Sequence, residues 1–177
     1  YPAADGSPGW AVSDVPGMMG MVGQRMTEGM IREVIAAYAK SAVDARNGGL
    51  HGVEVHAAHG YLPQQFLSSA YNDRTDDWGG SFENRSRFLM EILRAIRAAV
   101  GNDLAISVRL AASDMPGGVD IDKNKRVLEA LQAESLIDLV NVSRGDYYRM
   151  DTMVGAMQNP TGYEVPSSGE IAAVASV

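Results

Sequence analysis

The run His56-Ala57-Ala58-His59-Gly60-Tyr61 gathers two imidazoles and a phenol in a short space. Such a set can hold a developing oxyanion and supply a proton. On an extended strand, positions 56 and 59 point to opposite faces. Both reach one site only if the strand ends near Ala57 and the chain then turns, which Gly60 permits. An alternative stays open at this level: His56 and His59 as polar rim residues bonded to backbone, with Tyr61 buried. A metal site from His51, His56 and His59 is disfavoured, because His51 precedes the strand, at the end opposite His59, and metal ligands converge.

Arg109 is the second residue with chemical potential. A guanidinium on an otherwise apolar strand is costly to bury unless it meets an anion. Two anions would serve: an acidic side chain within the fold, or a bound anionic or electron-accepting group. The third candidate is Asn72-Asp73-Arg74-Thr75-Asp76-Asp77-Trp78-Gly79-Gly80-Ser81-Phe82-Glu83-Asn84-Arg85. Its charges, Trp78 and paired glycines stand just before a helix start. They read as an ordered loop cross-tied by Arg–Asp pairs, leading into a capped helix.

The elements that position these residues follow from hydrophobic periodicity. Residues 1–25, rich in Gly, Pro and Met, fit no period and are expected to be a loop. Met18, Met19 and Met21 there either cover the end of a core or line a flexible pocket. Met30, Ile31, Val34, Ile35, Tyr38, Ala39 and Ala42 predict a helix over 28–46, capped by Thr27 and stopped at Asn47-Gly48-Gly49. Residues 51–58 predict a strand with Val53, Val55 and Ala57 on one face and Glu54, His56 and Ala58 on the other. Residues 60–80 read as a loop. A second helix is expected over 82–99 behind Ser81, and a strand over 104–111 with Arg109 on its polar face. A third helix over 121–134 and a strand over 137–143 follow. A long loop from Gly145 to about Ser168 then leads to a fourth helix beginning near Glu170.

This α-β-α-β-α-β-α order implies parallel strands joined by right-handed crossovers. The polar side chains His56, Arg109, Asn141 and Ser143 lie toward the C-terminal strand ends, where β/α barrels carry their chemistry. An open doubly wound sheet also binds there, but no G-x-G-x-x-G or P-loop follows any strand. The expected fold class is α/β: a partial (β/α)8 barrel with about three parallel strands and flanking helices. A whole barrel takes eight strands and ~250 residues. Residues 1–177 are therefore expected to be the central segment of a single barrel domain, holding strands four to six.

Composition narrows the function classes. An apolar fraction of 46% is that of a globular protein. A net charge of −7 argues against nucleic acid as a partner. With no cysteine, disulfides, thiolate metal sites and Cys nucleophiles are excluded within these residues. No apolar run approaches the ~20 residues of a membrane span, so no membrane partner is expected. The N-terminus lacks an initiator Met and the pattern of a signal peptide. The expectation is a cytoplasmic protein, or a piece of one.

The segment HGVEVHAAHGYLPQQFLSSAYNDRTDDWGGSFENRSRF, followed by LAISVRLAASD and LVNVSRG, resembles the old yellow enzyme family of NADH:flavin oxidoreductases, on its 2,4-dienoyl-CoA reductase and trimethylamine dehydrogenase-like branch. The resemblance runs over roughly residues 25–165. It implies an FMN-binding barrel that uses NAD(P)H to reduce activated C=C bonds in a small-molecule substrate. His56 and His59 then resemble the pair that binds the substrate oxygen, Tyr61 the phenol that protonates the alpha carbon, and Arg109 the cation beside the flavin. Tyr147 and Tyr148 would lie over the flavin face and contact substrate. No metal is expected, and an iron–sulfur cluster only if a C-terminal extension exists. A homo-oligomer is compatible with the family. Two alternatives stand beside this: a flavin-dependent amine dehydrogenase or demethylase, and a catalytically incomplete fragment or binding module.

Overall fold

Alternating aliphatic residues build the sheet and decide which of its faces the helices cover. In the computed structural model, residues 8–14, 16, 22–113, 115–147 and 150–177 are described. The elements are β1 (Trp10–Ala11), β2 (Gln24–Arg25), α1 (Glu28–Asn47), β3 (Gly52–Ala57), α2 (Leu62–Leu67), α3 (Phe82–Val100), β4 (Ala105–Ala112), α4 (Ile121–Ala133), β5 (Leu139–Arg144), α5 (Met150–Met153) and α6 (Val165–Ala172). Strands β3, β4 and β5 form one parallel sheet in that order, with Val55 opposite Val108 and Leu110 opposite Val142.

Val55, Ala57, Ile106, Val108 and Leu110 are buried, and Val53, Val140 and Val142 pack against the same core. Helix α3 supplies the other half of that core through Phe88, Leu89, Ile92, Leu93 and Ile96. Each predicted cap is present. Thr27 Oγ accepts from the Met30 N–H at 3.3 Å, and Ser81 Oγ from the Asn84 N–H at 3.1 Å. Gly49 and Gly101 take positive φ where α1 and α3 end.

The expected strands and first three helices are all present within two residues of their bounds. Three segments differ. Residues 60–80 contain α2, which buries Pro63, Gln64, Phe66 and Leu67. A helix this short, buried on more than one side, displays no amphipathic stripe. The expected N-terminal loop includes a two-residue parallel pairing, Trp10 with Gln24 and Ala11 with Arg25, too short for alternation to register. The fourth helix begins at Val165 rather than near Glu170, with Pro166 in its first turn, and α5 interrupts the loop before it. Met18, Met19 and Met21 lie outside the described residues.

The loop between α2 and α3 is tied down as its charges suggested. The Arg74 guanidinium is 5% exposed; its Nη1 donates to the carbonyls of Val12 (3.0 Å) and Met26 (2.9 Å), while Nε and Nη2 engage Asp76. The Asn72 amide donates to the carbonyls of Phe66 and Trp78. The Trp78 indole N–H donates to Glu28 on α1. This knot joins the N-terminal pairing, α1 and α2.

Candidate active site

The face of the sheet away from the helices is polar. It carries Glu54 and His56 on β3, Ser107 and Arg109 on β4, and Asn141 and Ser143 on β5. Register aligns them: His56 lies opposite Arg109, and Arg109 opposite Asn141. Strand β3 ends at Ala57, and the chain then reverses through His59 (φ 57°) and Gly60 (φ 78°). That reversal brings His59 back beside His56, with ring centroids 5.1 Å apart, and sets Tyr61 against His56 at 4.9 Å. The expected turn is therefore what unites the two imidazoles and the phenol.

The turn is clamped by side chains whose spacing in the sequence carries no sign of that role. Gln64 is buried at the start of α2; its Oε1 accepts from the Gly60 N–H at 2.5 Å, and its amide donates to the Ala111 carbonyl of β4 at 3.0 Å. The Gln65 amide donates to the Gly60 carbonyl at 2.7 Å. From β5, Ser143 Oγ lies 2.9 Å from His59 Nε2 and holds that ring. The Tyr61 hydroxyl is hydrogen-bonded to that of Tyr147, and the two rings meet edge-on at 5.4 Å. Tyr147 also lies over Gly60, where a Cβ would stand 3.4 Å from its ring. Beneath this loop the Ser113 hydroxyl donates to the buried Asp146 carboxylate at 2.6 Å. Tyr148 lies outside the described residues.

Arg109 meets an anion within the fold. Its Nε donates to Glu54 Oε1 at 2.8 Å. The intramolecular partner raised from the sequence is thus present. It does not exhaust the guanidinium, because the two terminal amino groups make no hydrogen bond among the described residues. Glu54 Oε2 accepts from Ser107 Oγ at 3.0 Å and Asn141 Nδ2 at 3.1 Å. Burial would push the Glu54 carboxyl up, but those bonds and the Arg109 charge hold it below the usual carboxylate range.

Both imidazoles are held below the ordinary histidine value. For His56 the causes are burial and then the Arg109 charge; for His59 they are burial, then His56 and Arg109. At neutral pH each is an uncharged ring with one N–H to donate. The site thus offers neutral donors, a phenol and a guanidinium whose amino groups are unengaged among the described residues. That set suits a planar ligand carrying negative charge beside a carbonyl-type oxygen. His51 sits before β3, and among the described residues no cluster of three or more His, Asp or Glu is placed to hold a metal.

Known proteins carry the same segment. An NADH oxidase of Thermoanaerobacter brockii is 37% identical over 169 residues, which is 94% of this chain and 26% of that protein. The solved 2-naphthoyl-CoA reductase in complex with 2-naphthoyl-CoA superposes with a TM-score of 0.85 at 32% identity, over 94% of this chain and 26% of that one. A 6-hydroxypseudooxynicotine amine oxidase from Pseudomonas geniculata N1 gives 0.81 at 27% identity, over 98% and 26%. The chain thus spans about a quarter of the length of these relatives. The NADH:flavin oxidoreductase / NADH oxidase family matches residues 13–171. With its parallel sheet, flanking helices and strand-end site, this chain is a member of that family and folds as part of its β/α barrel.

Proposed function

We propose that these residues form the central segment of an FMN-binding barrel that reduces activated C=C bonds, such as those of enones and enoyl thioesters, with NAD(P)H as reductant. The observation that carries this reading is the convergence of His56, His59 and Tyr61 at the tip of β3, beside Arg109 at the matching position of β4. Strands supplied from outside residues 1–177 would complete the barrel, in line with the larger size of the relatives. Dependence on NAD(P)H fits a cytoplasmic location, and the family is compatible with a homo-oligomer.

FMN, when bound, supplies hydride drawn from NAD(P)H to the beta carbon of an electron-poor alkene. The terminal amino groups of Arg109 would hold the anionic edge of the flavin. His56 and His59 donate hydrogen bonds to the carbonyl oxygen of the substrate and stabilise the negative charge that develops there. Their neutrality suits this role, since an uncharged imidazole donates without surrendering its proton. The Tyr61 hydroxyl gives its proton to the alpha carbon and recovers one through the Tyr147 hydroxyl bonded to it. Tyr147 would contact the substrate from the loop after β5.

The full-length protein, purified with its visible spectrum recorded, should be yellow. Anaerobically reduced by NADPH, it should be reoxidised by cyclohexenone. Flavin reduction by a methylated amine alone, without NAD(P)H, would overturn the reductase reading in favour of amine oxidation. That second reading draws support from the likeness to an amine oxidase and from the paired phenol rings of Tyr61 and Tyr147, which could face a cation. A colourless protein that ignores added FMN would favour a non-catalytic binding module.

A further inference from the structure

Glu54 is an ionised carboxylate on the polar sheet face, two residues before His56 and so one pleat deeper toward the start of the strand. From β3 it reaches both other strands. Oε1 accepts from Arg109 Nε at 2.8 Å on the neighbouring strand. Oε2 accepts from Ser107 Oγ at 3.0 Å and reaches across to Asn141 Nδ2 at 3.1 Å on the third. The Arg109 and Glu54 side chains are 38% and 32% exposed. Ion pairs with that much exposure contribute little to stability. The arrangement is nonetheless specific. Among the described residues the guanidinium is held by Nε alone, which leaves both terminal amino groups for something else.

We propose that Glu54 is a positioning residue for Arg109: it fixes the guanidinium by Nε so that the terminal amino groups meet the flavin. The proposal rests on the functional reading above and goes beyond it, because Glu54 itself touches neither flavin nor substrate. The carboxylate also sets the local charge. At His56 the Glu54 charge opposes that of Arg109.

Glu54→Gln tests this selectively. The glutamine oxygen can still accept from Ser107 and Asn141, while its amide N–H confronts the Nε–H of Arg109, donor against donor. The readout is the FMN dissociation constant, measured by flavin fluorescence quenching on the deflavinated full-length protein. E54Q should weaken FMN binding about tenfold, the scale of one charge-assisted hydrogen bond. In an Arg109→Met background the same change should cost less than about twofold, since there is no guanidinium left to position. Ser107→Ala, which removes one bond to Oε2 and spares Arg109, should leave affinity within about twofold. Equal losses from E54Q in both backgrounds, no loss in either, or a loss from S107A matching that of E54Q would each overturn the proposal. Should E54Q not fold, Glu54→Asp takes its place: it keeps the charge but is one methylene short, and the same loss with the same dependence on Arg109 is expected. Wild-type protein that binds FMN while E54Q binds it equally well defeats this proposal alone. Wild-type protein that takes up no FMN defeats the functional reading and this proposal with it.

Discussion

At the residue scale, the proposed function depends on imidazoles that stay neutral. His56 and His59 have folded-state pKa values below the ordinary value of about 6.5, chiefly through burial. As pH falls below that value the unfolded chain takes up protons that the folded chain refuses. Their contribution to stability is therefore complete above about pH 6.5 and declines as the pH drops toward the folded pKa values. Denaturant midpoints measured from pH 8 down to 5 should fall, and replacing both histidines with Asn should flatten that slope. Glu54 acts lower on the scale. Its folded pKa is depressed, so its contribution is present above the unfolded carboxylate value and is lost as pH falls through the folded one. On the proposed function, Tyr61→Phe removes the proton donor and leaves the ring. Stopped-flow should show NAD(P)H-driven flavin reduction unchanged within about twofold, while reoxidation by an enone slows about 10²-fold or more.

At the element scale, the short helix α2 holds the His59–Gly60 turn in place, and the loop after α2 is bonded back to that helix. Gln64 bridges that turn to β4 from a buried position, so Gln64→Ala strands the Gly60 N–H and the Ala111 carbonyl and should cost about 1–3 kcal/mol in a denaturation series. The loop has its own weak point. A Cβ at Gly79 would stand 2.3 Å from the Arg74 carbonyl oxygen and 2.5 Å from the Arg74 Cβ. Gly79→Ala should therefore destabilise by about 1–3 kcal/mol, as overpacking does. Thermal unfolding of G79A no lower than wild type would contradict this view of the knot. Strands β3 and β4 and helices α1, α3 and α4 were legible because each buries one regular face, and β5 because Val140 and Val142 alternate against the same core. Helix α2 was not, because its buried residues follow no single stripe. The partners of Glu54 were equally hidden. Ser107, Arg109 and Asn141 lie 53, 55 and 87 positions away, and only strand register brings them together. Ser143 was readable as a polar strand-end residue, but its bond to His59 across 84 positions was not.

At the scale of the whole molecule, the three strands form an open sheet whose polar face is partly exposed, with His56, His59, Tyr61 and Arg109 grouped toward its C-terminal end. Closing that sheet into a barrel would surround Glu54, Arg109 and the histidines with further strands and strengthen every interaction among them by excluding water. On the proposed function, the two imidazoles serve the alkene-reducing half of a flavin reaction. The most direct test is anaerobic stopped-flow on NADPH-reduced full-length protein mixed with 2-cyclohexenone, comparing wild type with His56→Ala/His59→Ala. Rapid flavin reoxidation is predicted in wild type, and reoxidation at least about 10²-fold slower in the double variant, with FMN retained in both. Equal reoxidation rates in the two proteins would contradict it.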